Sequence, residues 1–510
     1  MTERRIDDRG RDLILATEIS GLLHDTGKLR EEFATEGMTG GKNRSDEVKK
    51  LGISAAHGAI LEEGRAYPPT AQDDWLQGLK HHAGWAHVLR LPEEWISTGA
   101  IQASGLGDPL RQHHATSKFP ENQLTLLGDL YALGADTRDS ALDKGSGGAE
   151  SGKQHLERGF IADSFGNEHK RRPYGPESLR ERWAQARTVI ENTLLAEGAW
   201  QDVARTRRHL LKDLEPVFRQ ALGETRRPTN DVTLWHHSYS AASLFKAAVA
   251  ECVLRRDFRH LQDAQGLFDI ARLGRVRFRL LGIRWDWASL AGGALQPVAL
   301  TALAENRQQA IAQLRQRLEV DEPVGNRVYE DDNGAVFGVG GFYQGPADAG
   351  GREAETLFRQ HLLEPLQAGI LQDLAPLGAG VAVRLAWTQP RLYLTDYPEV
   401  MATGWTRESE DRQRLLQVGE PELRLLWARQ TGEGQQVQIC PQCGLRPGLA
   451  RERALNESGL NADDPGGPSG FCDHCQKLVD ASAFIRRRRE ADQLFGFEPE
   501  TFNLQEIRRQ

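Results

Sequence analysis

Two pairs of cysteines constrain the fold of this chain more than any other feature of its sequence. Cys440 and Cys443 stand in "CPQC", and Cys472 and Cys475 stand in "CDHC" after a gap rich in Gly, Asp and Pro. Four thiolates at this spacing can surround one Zn²⁺ as a tetrahedron, and a shell closed by sulfur is typical of structural sites. The sequence therefore predicts a structural zinc module at about 433–480.

The rest of the chain is consistent with metal binding by these cysteines. The chain starts with "MTERRIDDRGRDLIL", which lacks the basic, apolar and small-residue order of a secretory signal. No stretch of the sequence resembles a transmembrane span. We therefore expect a cytoplasmic protein with no membrane partner, in which paired cysteines bind metal and do not form disulfides. The fifth cysteine, Cys252, lies in an apolar helical pattern and is expected in the core.

Length and charge set further bounds. The chain has 510 residues, of which 39% are hydrophobic, and this suits about three or four packed units. A net charge of -8 excludes a basic excess over the whole chain. Two local runs are basic, "ARTRRHLLK" at 204–212 and "FIRRRRE" at 484–490. Each is either a solvated helix face or the wall of a groove that binds phosphates.

The apolar pattern divides the chain into a helical part and a sheet part. Helical spacing extends from Ile6 to about Asp143 and returns at about 175–265, after the Gly/Ser-rich "KGSGGAESGK" of residues 144–153. The segments "RVRFRLLGIRWDW" and "GAGVAVRLAWTQ" have the composition of strands, and "NRVYEDDNGAVFGVGGF" predicts a hairpin at Asp-Asp-Asn-Gly. Because helical patterns lie between these strands, residues of about 270–430 are expected to form an α+β domain.

The stretch "GLLHDTGKLR" places His24 directly before Asp25 on an amphipathic helical pattern. Imidazoles and carboxylates are ligands of divalent metals that activate water against a phosphodiester. We therefore predict a metal site that includes His24 and Asp25. Lys28, one helical turn later, is either a contact of the scissile phosphate or a surface lysine. The first 114 residues hold seven of the fifteen histidines, which are His24, His57, His81, His82, His87, His113 and His114.

The sequence leaves the other ligands of this site open. In His-Asp phosphohydrolases a first histidine ordinarily precedes the His-Asp pair, but residues 1–23 contain none. A circularly permuted order supplies the missing ligands from later positions, with His57, then a His-His doublet, then a closing aspartate, for which Asp136 fits. The two candidate doublets are His113–His114, which we favour for its distance from the closing aspartate, and His81–His82.

Three acidic residues of the sheet part form a second candidate site. Asp286 ends the strand of "GIRWDW", and Asp331 and Asp332 lie on the predicted hairpin. Polymerase and cyclase palms hold two Mg²⁺ ions with carboxylates from such a strand and hairpin. Asp-Asp-Asn-Gly is also ordinary turn chemistry, and we favour this structural interpretation.

In their order along the chain, these parts resemble the large subunit of type III CRISPR effector complexes, in particular a divergent Csx-type branch. The resemblance rests on "LLHDTGK", "GADTRDSALDK", "NDVTLWHHSYSAASLFKA", "LLGIRWDW", "GNRVYEDDNGAVF" and "CPQCGLRPG" with "FCDHCQK". It extends over nearly the whole chain. The zinc module and its position after the His-Asp pair are specific, whereas the hairpin alone is a weak signal.

The resemblance implies a multidomain α+β protein with five parts. The first is an all-α, permuted His-Asp (HD) phosphohydrolase or nuclease domain at 1–145, and a linker and helical connector follow at 146–268. A ferredoxin-like palm domain, similar to nucleotide cyclases and polymerases, is implied at 269–432. The last two parts are the four-cysteine zinc-binding module at 433–480 and a basic C-terminal tail at 481–510 that docks a second-palm partner.

The resemblance also implies a function, a subunit of an RNA-guided antiviral complex. Its HD domain would cut single-stranded DNA with Mn²⁺, Ni²⁺ or Fe²⁺ through His24, Asp25 and Lys28, while structural Zn²⁺ binds the four cysteines. The palm would pair with a second palm on another chain to bind Mg-ATP and make cyclic oligoadenylate, with Asp286, Asp331 and Asp332 at the nucleotide. The implied partners are other effector subunits, guide RNA and target RNA.

The chain departs from the family in one respect. The family's second palm carries a Gly-Gly-Asp-Asp hairpin after the zinc module, and that motif does not occur in this sequence. We therefore expect a split form whose second palm is a separate chain. Two alternatives stay open, which are a catalytically inactive scaffold of the same complex and a stand-alone HD phosphohydrolase of signalling nucleotides.

Overall fold

The protein is a mixed α+β structure with an N-terminal helical region and a cluster of four cysteines, as predicted, and its sheet part forms one antiparallel five-stranded sheet. The computed structural model describes residues 6–29, 79, 81–107, 125–131, 134–135, 160–161, 172–173, 176–221, 233–262, 275–292, 297–345, 351–394, 396–407, 409–430, 439–440, 443, 446–448 and 471–480. The predicted ligands His57, His113, His114 and Asp136 and the predicted tail at 481–510 lie outside these residues.

The helical region is built around two long helices that are apolar on all sides and therefore buried. In α1 every residue from Leu13 to Leu23 is buried, and in α6 every residue from Ala241 to Val253 is buried. Asp7 caps the start of α1 by accepting a hydrogen bond from the Gly10 amide. The described helices of this region are α1 (Asp8–Leu23), α2 (Ala83–Leu89), α3 (Leu126–Tyr131), α4 (Pro176–Leu194), α5 (Val203–Phe218) and α6 (Leu234–Arg255), with a short strand pair β1 (Phe160–Ile161) and β2 (Arg172–Pro173).

The sheet has the order β4-β5-β3-β6-β7 and is antiparallel throughout. Its central strand β3 is buried along its whole length. The predicted hairpin is present, since β4 and β5 pair across Asp332 and Asn333, and Gly334 adopts φ +126 directly after the turn. The strands are β3 (Phe278–Trp285), β4 (Gly325–Asp331), β5 (Gly334–Gly340), β6 (Ala382–Trp387) and β7 (Gln413–Gln417).

Helices cover both faces of the sheet. The segment that holds α11 covers one face, where Val400 packs on Leu280 of β3. The opposite face shares one hydrophobic core with the helical region, and this core extends from Ile6 to Val418. The helices of the sheet part are α7 (Trp287–Gly292), α8 (Pro297–Gln316), α9 (Arg352–Phe358), α10 (Glu364–Asp373), α11 (Tyr397–Met401) and α12 (Glu420–Gln430).

Helix α6 lies at the centre of the molecule. It contacts α1 along its length and also packs on β4 and β5. The sequence placed α6 in the connector at 146–268, whereas the described residues show it between the N-terminal helix and the sheet. The helical part and the sheet part therefore do not have separate hydrophobic cores.

A buried polar cluster joins α1, α5, α6 and β4. Arg207 of α5 forms a bidentate ion pair with Glu18 of α1 at 2.6 and 2.7 Å. Lys246 of α6 lies 2.8 Å from the same carboxylate and donates to Asn326 Oδ1 of β4 at 2.7 Å. Glu319, just before β4, is the second carboxylate of the cluster, 3.8 Å from Arg207. Buried charges need partners of this kind.

No helix among the described residues has both the length and the apolar content to cross a bilayer.

Candidate metal centre

His24 and Asp25 lie where α1 ends. His24 is the C-terminal cap of the helix, and Asp25 immediately precedes a 3-10 turn at Thr26–Leu29. Both side chains are buried, with exposed fractions of 2%. An aspartate and a histidine in such a setting need close polar partners, because burial disfavours an isolated charge.

A polar partner of both His24 and Asp25 comes from the first turn of α6. His237 Nε2 lies 2.8 Å from Asp25 Oδ2, and His24 Nε2 lies 3.1 Å from the same oxygen. The two Nε2 atoms are 3.3 Å apart. One ligand atom from each of these three residues therefore lies within 4.8 Å of the others.

The backbone orients the His24 ring. Nδ1 of His24 lies 2.9 Å from the carbonyl oxygen of Gly21, which can only accept a hydrogen bond. Nδ1 must therefore carry a proton, and Nε2 is the nitrogen that can give up its proton and offer a lone pair to a metal. A histidine whose other nitrogen donates to a carbonyl is the usual arrangement of a metal ligand. Tyr131 packs edge-on against this ring, with centroids 5.5 Å apart.

Asp25 carries a negative charge in this site. Burial raises the pKa of Asp25, but His24 and Lys28 lower it, and the net pKa lies well below its usual range. The Lys28 ammonium lies 2.6 Å from Asp25 Oδ2. Two imidazoles and one ionised carboxylate are a donor set that suits a divalent transition metal, and it leaves coordination positions for further ligands. The residues present thus fit the predicted metal.

The predicted doublet at His81 and His82 is placed elsewhere. His82 precedes α2, and its Nδ1 accepts a hydrogen bond from the Trp85 amide at 3.4 Å. His81 Nδ1 lies 3.4 Å from the Ser104 hydroxyl. Neither residue belongs to the group of ligand atoms around Asp25.

The ligand that the sequence analysis missed is His237. It belongs to a third doublet, His236–His237, within the segment "NDVTLWHHSYSAASLFKA". The adjacent His236 is exposed at the helix start. Partial desolvation of its ring by the surrounding protein and the nearby Arg219 guanidinium lower the pKa of His236. The doublet itself was the available signal, but no spacing rule links it to a pair more than two hundred residues earlier.

The three acids of the sheet part are engaged with neighbouring groups. Asp286 accepts hydrogen bonds from the Ser289 amide and hydroxyl at 3.0 and 2.6 Å, which makes it a cap of α7. Asp331 receives the buried Arg284 guanidinium at 2.7 Å, and Asp332 pairs with Arg307. No metal-ligand group among the described residues includes any of the three. Their geometry is that of a capped, ion-paired turn.

The four cysteines do come together. Cys440, Cys443, Cys472 and Cys475 form one group of ligand atoms, with Cys443 Sγ and Cys472 Sγ 3.9 Å apart. Sulfurs bound at about 2.3 Å to a tetrahedral zinc lie about 3.8 Å apart, so this spacing fits Zn²⁺. The Cys440 amide donates to the Arg446 carbonyl at 2.8 Å, which closes the first loop of the module. A helix at 473–480 carries the last cysteine.

No protein-family model matches the chain, and a comparison with curated proteins finds no match either.

Proposed function

We propose that the chain is a divalent-metal-dependent phosphodiesterase of the HD type, and that its substrate is single-stranded DNA. The observation that carries this proposal is the convergence of His24 Nε2, His237 Nε2 and Asp25 Oδ2 within 4.8 Å of one another, with His24 and Asp25 buried and His237 partly buried. The sequence alone predicted His24 and Asp25 as ligands, and the third ligand, His237, comes independently from a helix that is distant in the sequence. This convergence supports a built site over a chance His-Asp dipeptide.

The roles of the chain's own residues follow from their positions. His24 and His237 would hold the metal through neutral Nε2 atoms, and Asp25 would supply the negative ligand. A metal held there would supply a water of lowered pKa as the nucleophile at neutral pH. The Lys28 ammonium lies 2.6 Å from Asp25 Oδ2 and would offset the negative charge of a phosphate bound beside the site.

The wider role is a further part of the proposal. The four-cysteine cluster, the five-stranded sheet and the resemblance in motif order support a subunit of a type III CRISPR effector complex. In such a complex the chain would contact other effector subunits, guide RNA and target RNA, and its sheet would meet a second palm at Mg-ATP. Asp331 and Asp332 are neutralised by arginines, and this observation favours a structural hairpin over a metal-binding one.

Cleavage by the purified chain tests the proposal. With Mn²⁺ the protein should cut a labelled single-stranded oligonucleotide, and His24→Ala with Asp25→Ala should abolish cutting. His237→Ala should reduce the rate by at least about a hundredfold, because it removes one of three protein ligands. The control is His236→Ala, which changes the adjacent exposed residue. Cutting that survives in the double variant would exclude this site as the nuclease.

The scaffold alternative gives a different result in the same assay. If the protein only organises a complex, no variant will differ from wild type, and no cutting will occur with Mn²⁺, Ni²⁺ or Fe²⁺. A stand-alone phosphohydrolase would instead hydrolyse small signalling nucleotides and leave the oligonucleotide intact.

A further inference from the structure

One face of α5, together with the C-cap residue Arg219, carries a row of exposed basic side chains. Arg205, Arg208, His209, Lys212 and Arg219 are all exposed, and at 3.6 residues per turn they fall within an arc of about 100°. No acidic residue lies inside that arc, but Glu215 lies just outside it and pairs with Arg219 at 2.7 Å. We call these five residues the basic stripe, and it is about 20 Å long.

The stripe differs from the opposite side of the same helix. The inward Arg207 is neutralised by Glu18 through two hydrogen bonds. By contrast, Arg205, Arg208 and Lys212 form no ion pair with any other described residue. Their charges are therefore available to an external anion, whereas a row of cations neutralised by neighbouring acids would be an ordinary solvated face.

One end of the stripe lies close to α6, which contributes to the metal centre. In the first half of α5, Arg207 contacts Glu18, which precedes His24 by six residues on α1. Just beyond the end of α5, the Leu234 amide donates to the Ala221 carbonyl at 2.8 Å. Leu234 is the first residue of α6, in whose first turn His237 lies. The C-terminal end of α5 therefore lies next to the first turn of α6, which carries His237.

We propose that the basic stripe binds the phosphates of a single DNA strand and guides that strand to the metal centre. This inference rests on the proposed nuclease function and names where its substrate lies. A single row of cations is complementary to one phosphodiester backbone, and duplex DNA presents two. Contacts of this kind are electrostatic and independent of base sequence.

Binding of a fluorescent single strand to the full-length protein, without added divalent metal, tests the stripe separately from cleavage. The variant is Arg205→Gln, Arg208→Gln and Lys212→Gln, because glutamine preserves helix propensity. The Kd should rise at about 0.1 M salt by about tenfold or more. The slope of log K against log salt should fall by about 2, since each phosphate contact on a single strand contributes about 0.7.

A matched control removes the same charge from the sheet part. Arg352→Gln, Arg407→Gln and Arg424→Gln change three exposed arginines, and this triple variant should bind with the wild-type Kd and slope. The single variant Arg208→Gln should lower the slope by about one third as much as the triple stripe variant does. Circular dichroism confirms that each variant is folded.

Several outcomes overturn the inference. Equal Kd and slope for the stripe and control variants would show that the stripe does not hold the strand. Equal affinity for a duplex of the same sequence would contradict a single-strand site. The nuclease proposal fails by a different result, namely cutting that survives His24→Ala with Asp25→Ala, so the two failures are distinguishable.

Discussion

Gly21 sets how closely α1 approaches α6, and through that distance it sets the geometry of the metal centre. A Cβ on Gly21 would lie 3.0 Å from Ala242 Cα and 3.3 Å from the ring of Tyr131. The Gly21 carbonyl also holds His24 Nδ1 at 2.9 Å. A single residue without a side chain therefore both orients His24 and admits the helix that carries His237.

We expect Gly21→Val to lower the free energy of unfolding by about 1–3 kcal/mol, because it inserts methyl groups into a filled contact. The variant should also lose affinity for the metal, since α6 must move away from α1. Urea denaturation measures the first effect. The control is Gly292→Val in α7, where no atom lies within 4 Å of the added Cβ. Equal stability of the two variants would contradict this account of the helix contact.

At the scale of elements, the polar cluster fixes α1, α5 and α6 against the sheet. Burial raises the pKa of Glu18, but Arg207 and Lys246 lower it to about 2. Burial and the Arg207 charge lower the pKa of Lys246 to about 8. Two carboxylates and two cations balance at neutral pH, so the removal of one member leaves an uncompensated buried charge.

Glu18→Gln should lower the free energy of unfolding at pH 7 by about 3 kcal/mol. The reason is that the pKa of Glu18 falls from about 4.5 in the unfolded chain to about 2 in the folded protein. Because the folded pKa is depressed, this contribution is complete above pH 4.5 and is lost as pH falls toward 2. The difference between wild type and variant should therefore shrink in that window. Urea denaturation at pH 7, 4 and 3 measures it.

The control for this prediction is Glu94→Gln, which changes an exposed glutamate. It should leave the free energy of unfolding within about 0.5 kcal/mol of wild type at every pH. A pH-independent difference between Glu18→Gln and wild type would show that the carboxylate charge is not what stabilises these helices.

At the scale of the whole molecule, one core unites the helical region with the sheet, and the four-cysteine module packs beside it. Leu478 of the 473–480 helix contacts Ala302 and Leu303 of α8. Gly378, at φ +98, has no side chain, and atoms of Arg446 and His474 of the module lie within 3 Å of the position that a Cβ would occupy there. The cysteine cluster thus forms part of the packing around the sheet.

Local pattern explains which parts of this arrangement the sequence could predict. The hairpin, the strands β3 and β6, the long helices and the paired cysteines all follow from short-range periodicity or spacing. The joint core of α6 with α1 and the sheet could not be predicted, because the apolar pattern of a helix does not indicate which other element the helix packs against. For the same reason His237 was missed, since it reaches Asp25 only through the antiparallel packing of α6 on α1.

Metal content measured by elemental analysis tests the central claim most directly. The protein is loaded with Mn²⁺, dialysed and compared with His237→Ala, while the zinc of the four cysteines serves as an internal standard. We expect wild type to hold about one zinc and at least about one manganese per chain, and the variant to keep the zinc and lose the manganese. Equal manganese in the two proteins, or none in wild type, would contradict the assignment of His24, Asp25 and His237 as a metal centre.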